Sequence, residues 1–537
     1  MRLLAEMASI QAREGAITDA ALSALAERRG VPLYHLEGLR SFYPAFRPAP
    51  GARHRVQICR DGPCRLQGTE AGRSLAAALA GRDDIEVEYV SCLGQCDCAP
   101  AAAVDDHHHG PLPNIETLDA WLAGDGALPE PAQGLTAPLP TDPYPMAGVD
   151  YAVSRRWLQA PADAVIETLE ASGLQGLGGA AFPTARKWQF TRQAEGAPRT
   201  VICNADESEP GTFKDRLILE QAPHLVIEGM LIGAAVIDAD RGIIYLRHEY
   251  ERARQALEAA LANARRLGIL GPDARGPGRA FDIELFVSPG GYILGEETAL
   301  LEALEDRRGE PRHKPPFPVT QGLWGGPTLI NNVETLAAVT AILGHGAEWW
   351  QAQGHGDYAG LKYVSVSGDV AHPQVLCLPW GTPVREAIHR CGGMAADHRL
   401  LAFSPGGAST PFLPDTAADT PLAFDALREA GSGLGTGALF VIGSGRNLAE
   451  VVIAQARFFR NESCGKCVPC RVGSSKGVAI ADAALAGDRD ADAGTLVDLH
   501  HTLQRTSICG LGQVALLPVV DALERFANEP SMQRLRG

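Results

Sequence analysis

Glu462-Ser463-Cys464-Gly465-Lys466-Cys467-Val468-Pro469-Cys470-Arg471 places three thiols at C-x2-C-x2-C, and Cys509 follows after 38 intervening residues. Three ligands from one tight loop and a distant fourth suit a cube of four irons, whose corners a turning backbone reaches every few residues. The competing reading is zinc on four cysteines, but such sites usually pair two separated C-x2-C knuckles. The loop predicts a 4Fe-4S cluster on Cys464, Cys467, Cys470 and Cys509, set among helices in the last hundred residues.

A second group lies early. Cys59-Arg60-Asp61-Gly62-Pro63-Cys64 and Cys92-Leu93-Gly94-Gln95-Cys96 form C-x4-C, a 27-residue interval and C-x3-C. Two ligand pairs on two loops suit a 2Fe-2S rhomb, each pair holding one iron. Cys98 could replace Cys96 in a zinc or cluster site and is read as a bystander. His107, His108 and His109 are read as a polar loop before Gly110-Pro111. Cys203, Cys377 and Cys391 stand alone, as small buried apolar residues do.

Around these loops the pattern divides the 537 residues into several units, more than one core can serve. Residues 1–45 show helical periodicity, with Thr18-Asp19 as a cap. Arg55–Ile58, Gly72–Ala80 and Ile85–Val90 read as strand, helix and strand of a small α/β domain. Prolines 129, 131, 138, 140, 143 and 145 predict an extended spacer. Beyond it, strands Thr200–Cys203 and Gly242–Leu246 alternate with helices such as Glu249–Leu267, predicting a largely parallel sheet. Residues 361–440 are richer in short strands and turns.

The formal charge of −16 argues against nucleic acid or anionic membrane as a partner. The first ten residues lack an apolar core, and the longest apolar stretch, Leu225–Ile237, is interrupted by Glu228, so no membrane span and a cytoplasmic location are expected.

Two further motifs carry chemistry. Gly173-Leu-Gln-Gly176-Leu-Gly178-Gly179-Ala-Ala-Phe182, leading to Lys187-Trp188, is a glycine-rich loop whose N–H groups and lysine suit a nucleotide phosphate; alone it is equally a structural turn. Asn204-Ala-Asp206-Glu207-Ser-Glu209 follows a hydrophobic strand, where open α/β sheets bind ligands, and its acidity disfavours a 2′-phosphate; a solvated acidic turn is the bland alternative.

Together with Gly290–Leu300, Pro311–Pro318 and Gly322–Thr335, these motifs resemble the NADH-binding flavoprotein subunit of respiratory NADH dehydrogenase over nearly all of residues 151–537. Residues 1–125 resemble that enzyme's small 2Fe-2S subunit, fused ahead. The resemblance implies a multidomain α/β chain. A helical lead-in (1–48) precedes a thioredoxin-like 2Fe-2S domain (49–127) and a Pro-rich linker (128–150). A Rossmann-like FMN/NAD domain (151–355), a ubiquitin-like domain (356–440) and a helical 4Fe-4S bundle (441–537) follow. It further implies that Gly176, Gly178, Gly179, Lys187, Asn204, Asp206, Tyr292, Gly295, Glu296, Asn331, Asn332 and Thr335 shape the FMN pocket, and that Phe182, Phe190, Glu207, Glu209, Glu297 and Lys314 face NAD. Leu177, Ala181 and Leu294 depart from the family's usual Arg, Gly and Cys, which puts local pocket shape in doubt.

Fused chains of this kind are diaphorase subunits of NAD-reducing formate dehydrogenases and hydrogenases. Arg312–Pro318 and Ser507–Gln513 look more like the formate dehydrogenase beta subunits, which implies a separate molybdenum or tungsten catalytic subunit as partner. NAD exchanges a hydride while iron-sulfur centres pass single electrons, so a flavin must stand between them, and no protein group is expected to act as catalytic base. The other readings are a diaphorase of another dehydrogenase or hydrogenase, a nonenzymatic iron-sulfur relay or sensor, and a zinc-stapled scaffold.

Overall fold

The computed structural model describes residues 2–105, 107–124, 138–144, 148–488 and 492–535. In the early domain, β1 (His54–Cys59) and β2 (Ile85–Val90) run parallel in register from His54 opposite Ile85 to Cys59 opposite Val90. The crossover helix Gly62–Leu79 is longer than the expected Gly72–Ala80. It starts inside the C-x4-C segment, where Pro63 suits a first turn whose N–H has no helical partner. It kinks at Gly68, where a Cβ would meet the Pro100 ring at 2.2 Å. β3 (Ala102–Val104) and β4 (His107–His109) complete the order β2-β1-β3-β4. The three histidines thus form an edge strand paired with Ala102–Val104, not a polar loop. An edge position tolerates polar side chains, so backbone pairing decides the conformation.

Helices Leu3–Glu14, Asp19–Arg29 and Leu33–Phe42 form the lead-in, with Thr18 Oγ1 accepting from Ala21 N at 3.2 Å as the cap. Their apolar faces pack in one core with Phe286, Leu300 and Leu304, and so against the flavin-domain residues rather than the early sheet.

The central sheet has four parallel strands in the order β7-β6-β5-β8, formed by β5 (Thr200–Ala205), β6 (Arg241–Leu246), β7 (Asp282–Val287) and β8 (Thr328–Asn332). Val201 and Cys203 face one core while Ile202 and Ile330 face the other, so both sheet faces are covered and the strands read as continuous apolar runs. Helices Pro223–Ile237 and Val333–His345 pack together over the first face. Glu228, the charge inside that apolar stretch, is buried and accepts from Tyr144 OH (2.5 Å) and Ser154 N (2.8 Å).

Pro129, Pro131 and Pro145 of the expected spacer lie outside the described residues. Residues 138–144 do not span solvent: Leu139, Thr141 and Tyr144 are buried, and Thr141 Oγ1 meets Tyr363 OH at 2.7 Å. Proline removes backbone donors but leaves side chains free to dock, and here docking prevails.

The next domain is a mixed sheet, β10-β9-β13-β11-β12, from β9 (Leu361–Gly368), β10 (Gln374–Pro379), β11 (Leu400–Ser404), β12 (Leu413–Pro414) and β13 (Ala438–Gly443). β9 pairs antiparallel with β10 and parallel with β13, and the helix Val384–Arg390 shares the core, the ubiquitin-like arrangement. Helices Leu448–Asn461, Val468–Leu485, Ala493–Thr506 and Leu517–Arg525 form the last unit.

Among the described residues no single helix is long and apolar enough to cross a membrane. The one pair that passes on composition, Lys214–Gln221 with Pro223–Ile237, bends by 92° and holds Lys214, Asp215 and Arg216 buried in ion pairs.

Candidate active site

A cavity of about 320 Å³ opens at the carboxyl ends of β5 and β8, lined by Gly178, Asn204, Asp206, Glu207, Glu209, Tyr292, Gly295, Glu296 and Asn332. The acidic segment is not a solvated turn: Asp206, Glu207 and Glu209 are 9%, 6% and 7% exposed. Glu207 accepts from Asp215 N (2.9 Å), Arg216 N (3.0 Å) and Tyr250 OH (2.8 Å). Glu209 accepts from Tyr292 OH (2.6 Å) and Ser409 N (2.7 Å). Burial pushes Asp206 and Glu207 up to about 7 and raises Glu209.

Asn204 Nδ2 donates to Gly295 O at 2.8 Å, which joins β5 to the Gly290–Gly295 turn. Glu296 also has a structural task, since its carboxylate caps the helix Glu297–Leu304 through Thr298 N and Ala299 N. The cavity's size and its lining of amides, hydroxyls and carboxylates suit a polar, cofactor-sized group. A Cβ at Gly178 would stand 2.9 Å from Asn332 Cβ, so glycine keeps the backbone open there. Lys187 Nζ donates to Ile330 O at 3.0 Å behind the cavity, and burial pulls it below the usual lysine range.

Other expected residues surround the cavity without lining it. Gly176 N bonds Phe182 O at 2.9 Å and closes the glycine turn. Thr335 Oγ1 accepts from Leu177 N at 2.9 Å, and Asn331 Oδ1 from Trp188 Nε1 at 3.0 Å. Gly179, at φ +108°, stacks on the Gly435 backbone. Phe182 and Phe190 are 40% and 41% exposed with ring centroids 6.3 Å apart, and Lys314 Nζ bonds Glu296 (2.9 Å) and Glu297 (2.7 Å). Ala181, where the family usually has glycine, adopts φ 54°, a left-handed conformation costing about 1 kcal/mol.

The walls that sequence reasoning missed come from distant domains. Ser409 and Thr436 belong to the ubiquitin-like domain, and Gly510, Leu511 and Val514 follow Cys509. Pro405-Gly406-Gly407-Ala408-Ser409 is the one local signal for this wall, a second glycine turn; a Cβ on Gly407 would meet Glu209 Cγ at 2.7 Å.

Cys464, Cys467, Cys470 and Cys509 line one small cavity with Ile293, Pro311 and Leu511, and Ile293 and Leu511 also line the larger cavity. The two sites share a wall. Burial pushes Cys470 up to about 11 and Cys509 up to about 12, so a metal must supply the charge that holds these sulfurs as thiolates. Among the described residues no set of three or more His, Cys, Asp or Glu closes on a single-ion position.

Cys59, Cys64, Cys92 and Cys96 are all buried, with Cys92 Sγ 3.4 Å from Cys96 Sγ. Hydrogen bonding to Cys59 and burial push the Cys64 thiol up, whereas the Cys96 hydrogen bond pulls Cys92 down to about 6. Gly94 N donates to Cys92 Sγ and Gly211 N to Cys96 Sγ, each at 3.3 Å. Arg247 bonds both Cys92 O and Glu207 O, and Arg216 bonds Gly94 O (2.6 Å), Gln95 (2.8 Å) and Asp97 (2.6 Å). Cys98 is buried against Gly110.

Four families match in chain order: a thioredoxin-like 2Fe-2S ferredoxin over residues 1–123, the Nuo51 FMN-binding domain over 169–341, an SLBB domain over 363–413, and the NADH-ubiquinone oxidoreductase-F iron-sulfur binding region over 450–532. The F subunit of the Escherichia coli (strain K12) NADH-quinone oxidoreductase is 43% identical over 373 residues, covering 68% of this chain and 83% of that one. Its counterpart from Aquifex aeolicus (strain VF5) is 41% identical over 382 residues, covering 71% and 88%. Among solved structures, a chain of an NAD+-reducing NiFe-hydrogenase in its H2-reduced state superposes with a TM-score of 0.86 at 32% identity, covering 99% of this chain and 92% of that one.

Proposed function

The chain belongs to the family of the NADH-quinone oxidoreductase F subunits, and on that premise we propose that it is the NAD-reducing diaphorase subunit of a cytoplasmic formate dehydrogenase, supplied with electrons by a separate molybdenum- or tungsten-containing subunit. It is a diaphorase-type oxidoreductase with FMN, NAD, a 2Fe-2S and a 4Fe-4S cluster. Bound FMN supplies the exchange between hydride and single electrons.

The chain's own residues align and enclose. Asn204, Asp206 and Asn332 would hold the flavin at the strand ends, with Gly178 giving the backbone close approach and Lys187, now bonded to Ile330 O, swinging to its phosphate. Phe182, Phe190 and Lys314 would receive the dinucleotide at the exposed rim. Cys59, Cys64, Cys92 and Cys96 would ligate the smaller cluster, and Cys464, Cys467, Cys470 and Cys509 the larger. The observation that carries the reading is the shared wall: Ile293 and Leu511 line both the flavin cavity and the pocket of the four late cysteines, so the residues that would hold the two redox groups adjoin.

The formate reading is supported by Arg312–Pro318 and Ser507–Gln513. A second reading, the diaphorase of an NAD-reducing hydrogenase, is favoured by the likeness that covers 99% of the chain. An anaerobic NADH titration, with iron, sulfide and FMN assayed on the same sample, tests the core; iron without flavin, or no bleaching by NADH, would sink it. The complex purified with its partners then decides between donors: NAD reduction by formate supports the first reading, reduction by hydrogen alone the second.

A further inference from the structure

Four buried charges run inward from the ubiquitin-like domain to the flavin cavity. Lys362 on β9 is 1% exposed, and its Nζ donates to Glu334 Oε2 (2.5 Å), Tyr363 O (2.8 Å) and Thr436 O (3.1 Å). Glu334 Oε2 also holds Lys214 Nζ at 2.9 Å, and Lys214 Nζ reaches Asp215 Oδ1 at 2.7 Å. Asp215 Oδ2 accepts from Asn332 Nδ2 at 2.6 Å, and Asn332 Oδ1 accepts from Glu334 N at 3.0 Å. Asp215, Asn332 and Thr436 line the cavity.

Taking each such ion out of water costs several kcal/mol, and well-packed apolar residues would serve stability at least as well. The chain of charges has another property. It pins both ends of the Asn332 amide, and its two lysines balance its two carboxylates, so the wall of the cavity carries no net charge from this source. Removing Lys362 or Asp215 changes that sum by one unit, in opposite directions.

We propose that Lys362, Glu334, Lys214 and Asp215 are positioning residues that set the charge and the Asn332 orientation presented to the flavin. This rests on the flavin occupying the cavity, as read above. The groups facing Lys362 are Glu334 from the helix Val333–His345, Lys214 and Asp215 from the helix Lys214–Gln221, and Cys377 from β10. Burial pulls Lys362 down to about 8 against the opposing pull of Glu334, while Asp215 and Glu334 keep Lys214 charged. Loss of the Lys362 proton leaves one net negative charge beside the flavin and disfavours its reduced, electron-rich form.

The test is spectroelectrochemical titration of the flavin in the FMN-loaded full chain at several pH values. In wild-type protein the midpoint potential should fall more steeply once pH passes about 8. Lys362→Met should weaken binding of reduced relative to oxidised FMN about tenfold, the order expected of one unit charge across a few side chains at an effective dielectric near 20. That is a lowering of about 30 mV for a two-electron couple, with the steeper fall abolished. Lys362→Arg should keep the higher potential and lose the steeper fall. Asp215→Asn, which leaves Lys214 charged on Glu334, should shift the potential the opposite way. FMN-loaded variants with unchanged potentials, shifts of the same sign in Lys362→Met and Asp215→Asn, or a wild-type slope without a change near pH 8 overturn the inference alone. Wild-type protein that takes up no FMN overturns the reading of the cavity itself.

Discussion

Gly211 N donates to Cys96 Sγ at 3.3 Å, so the backbone of the acidic flavin-pocket segment supplies a hydrogen bond to a sulfur of the thioredoxin-like domain. Hydrogen bonds to ligand sulfurs raise a cluster's reduction potential by stabilising the more negative state. Gly211 sits at φ +95°, where a side chain strains the backbone. Gly211→Ala is expected to lengthen the bond and lower the 2Fe-2S midpoint by about 60 mV, a tenfold change for a one-electron couple. An EPR-monitored redox titration reads it, and an unshifted midpoint in a folded variant contradicts the assignment.

Arg216 fastens the same cluster loop. Its guanidinium bonds Gly94 O, Gln95 and Asp97, and the side chains of Arg216 and Asp97 are 8% and 5% exposed. Arg216→Met leaves Asp97 buried without its counter-charge, a loss of about 3–5 kcal/mol. Denaturant unfolding should show that loss, with 2Fe-2S content falling before FMN content. Arg216→Met with wild-type stability would mean the pair is solvated in solution.

Cysteines in the late cavity and in the sheet core should behave oppositely. If Cys509 is a cluster ligand, as proposed, Cys509→Ala should cost about four irons per chain. Cys203 is fully buried in β5, and burial raises its thiol. Cys203→Ala should retain all iron and lose about 1 kcal/mol of stability. Iron and sulfide analysis of the two purified variants separates a ligand from a packing residue.

The parts of the fold most readable in the sequence are those whose physics is local. Thr18 caps the helix its spacing implies, and Ile85–Val90 is a strand because alternation marks it. The cysteine loops are legible because ligand spacing is itself geometry. His107–His109 reads as a loop and folds as a strand because the pairing comes from Ala102–Val104, which composition does not announce. Residues 138–144 read as a spacer for a similar reason, since their docking depends on Tyr363 and Glu228, residues far along the chain. The contributions of Thr436 and Leu511 to the cavity arise where three domains meet, and nothing local to those two residues encodes it, whereas Ser409 is announced only by the glycine turn before it.

Asp206 and Glu207 give the cofactor-free chain a distinctive pH dependence. Both are pushed to about 7 by burial, whereas in the unfolded chain they titrate near ~3.9 and ~4.3. The folded state therefore binds more protons between those values. Stability from this source is complete below about pH 4, declines as pH rises, and is lost above about 7. Thermal melts of FMN-free protein should fall over that range, and Asp206→Asn should flatten the slope by about half. A melt that rises with pH across the window would show that these carboxylates stay ionised in the fold.

Phe190 offers the most direct test of the nucleotide rim. Phe182 and Phe190 are 40% and 41% exposed beside the glycine turn, and an exposed aromatic pair has no packing reason to remain uncovered. Arg186 lies 5.7 Å above the Phe190 ring, leaving the ring partly engaged without burying it. A base stacking on an aromatic face is worth about 1–3 kcal/mol. If Phe190 receives the adenine, Phe190→Ala should raise KM for NADH roughly tenfold while leaving kcat within about twofold, because stacking remote from the reacting atoms binds ground and transition states alike. Phe190→Tyr should restore KM. A loss confined to kcat would instead place Phe190 among the residues that hold the flavin, and an unchanged KM would move the adenine to another part of the rim.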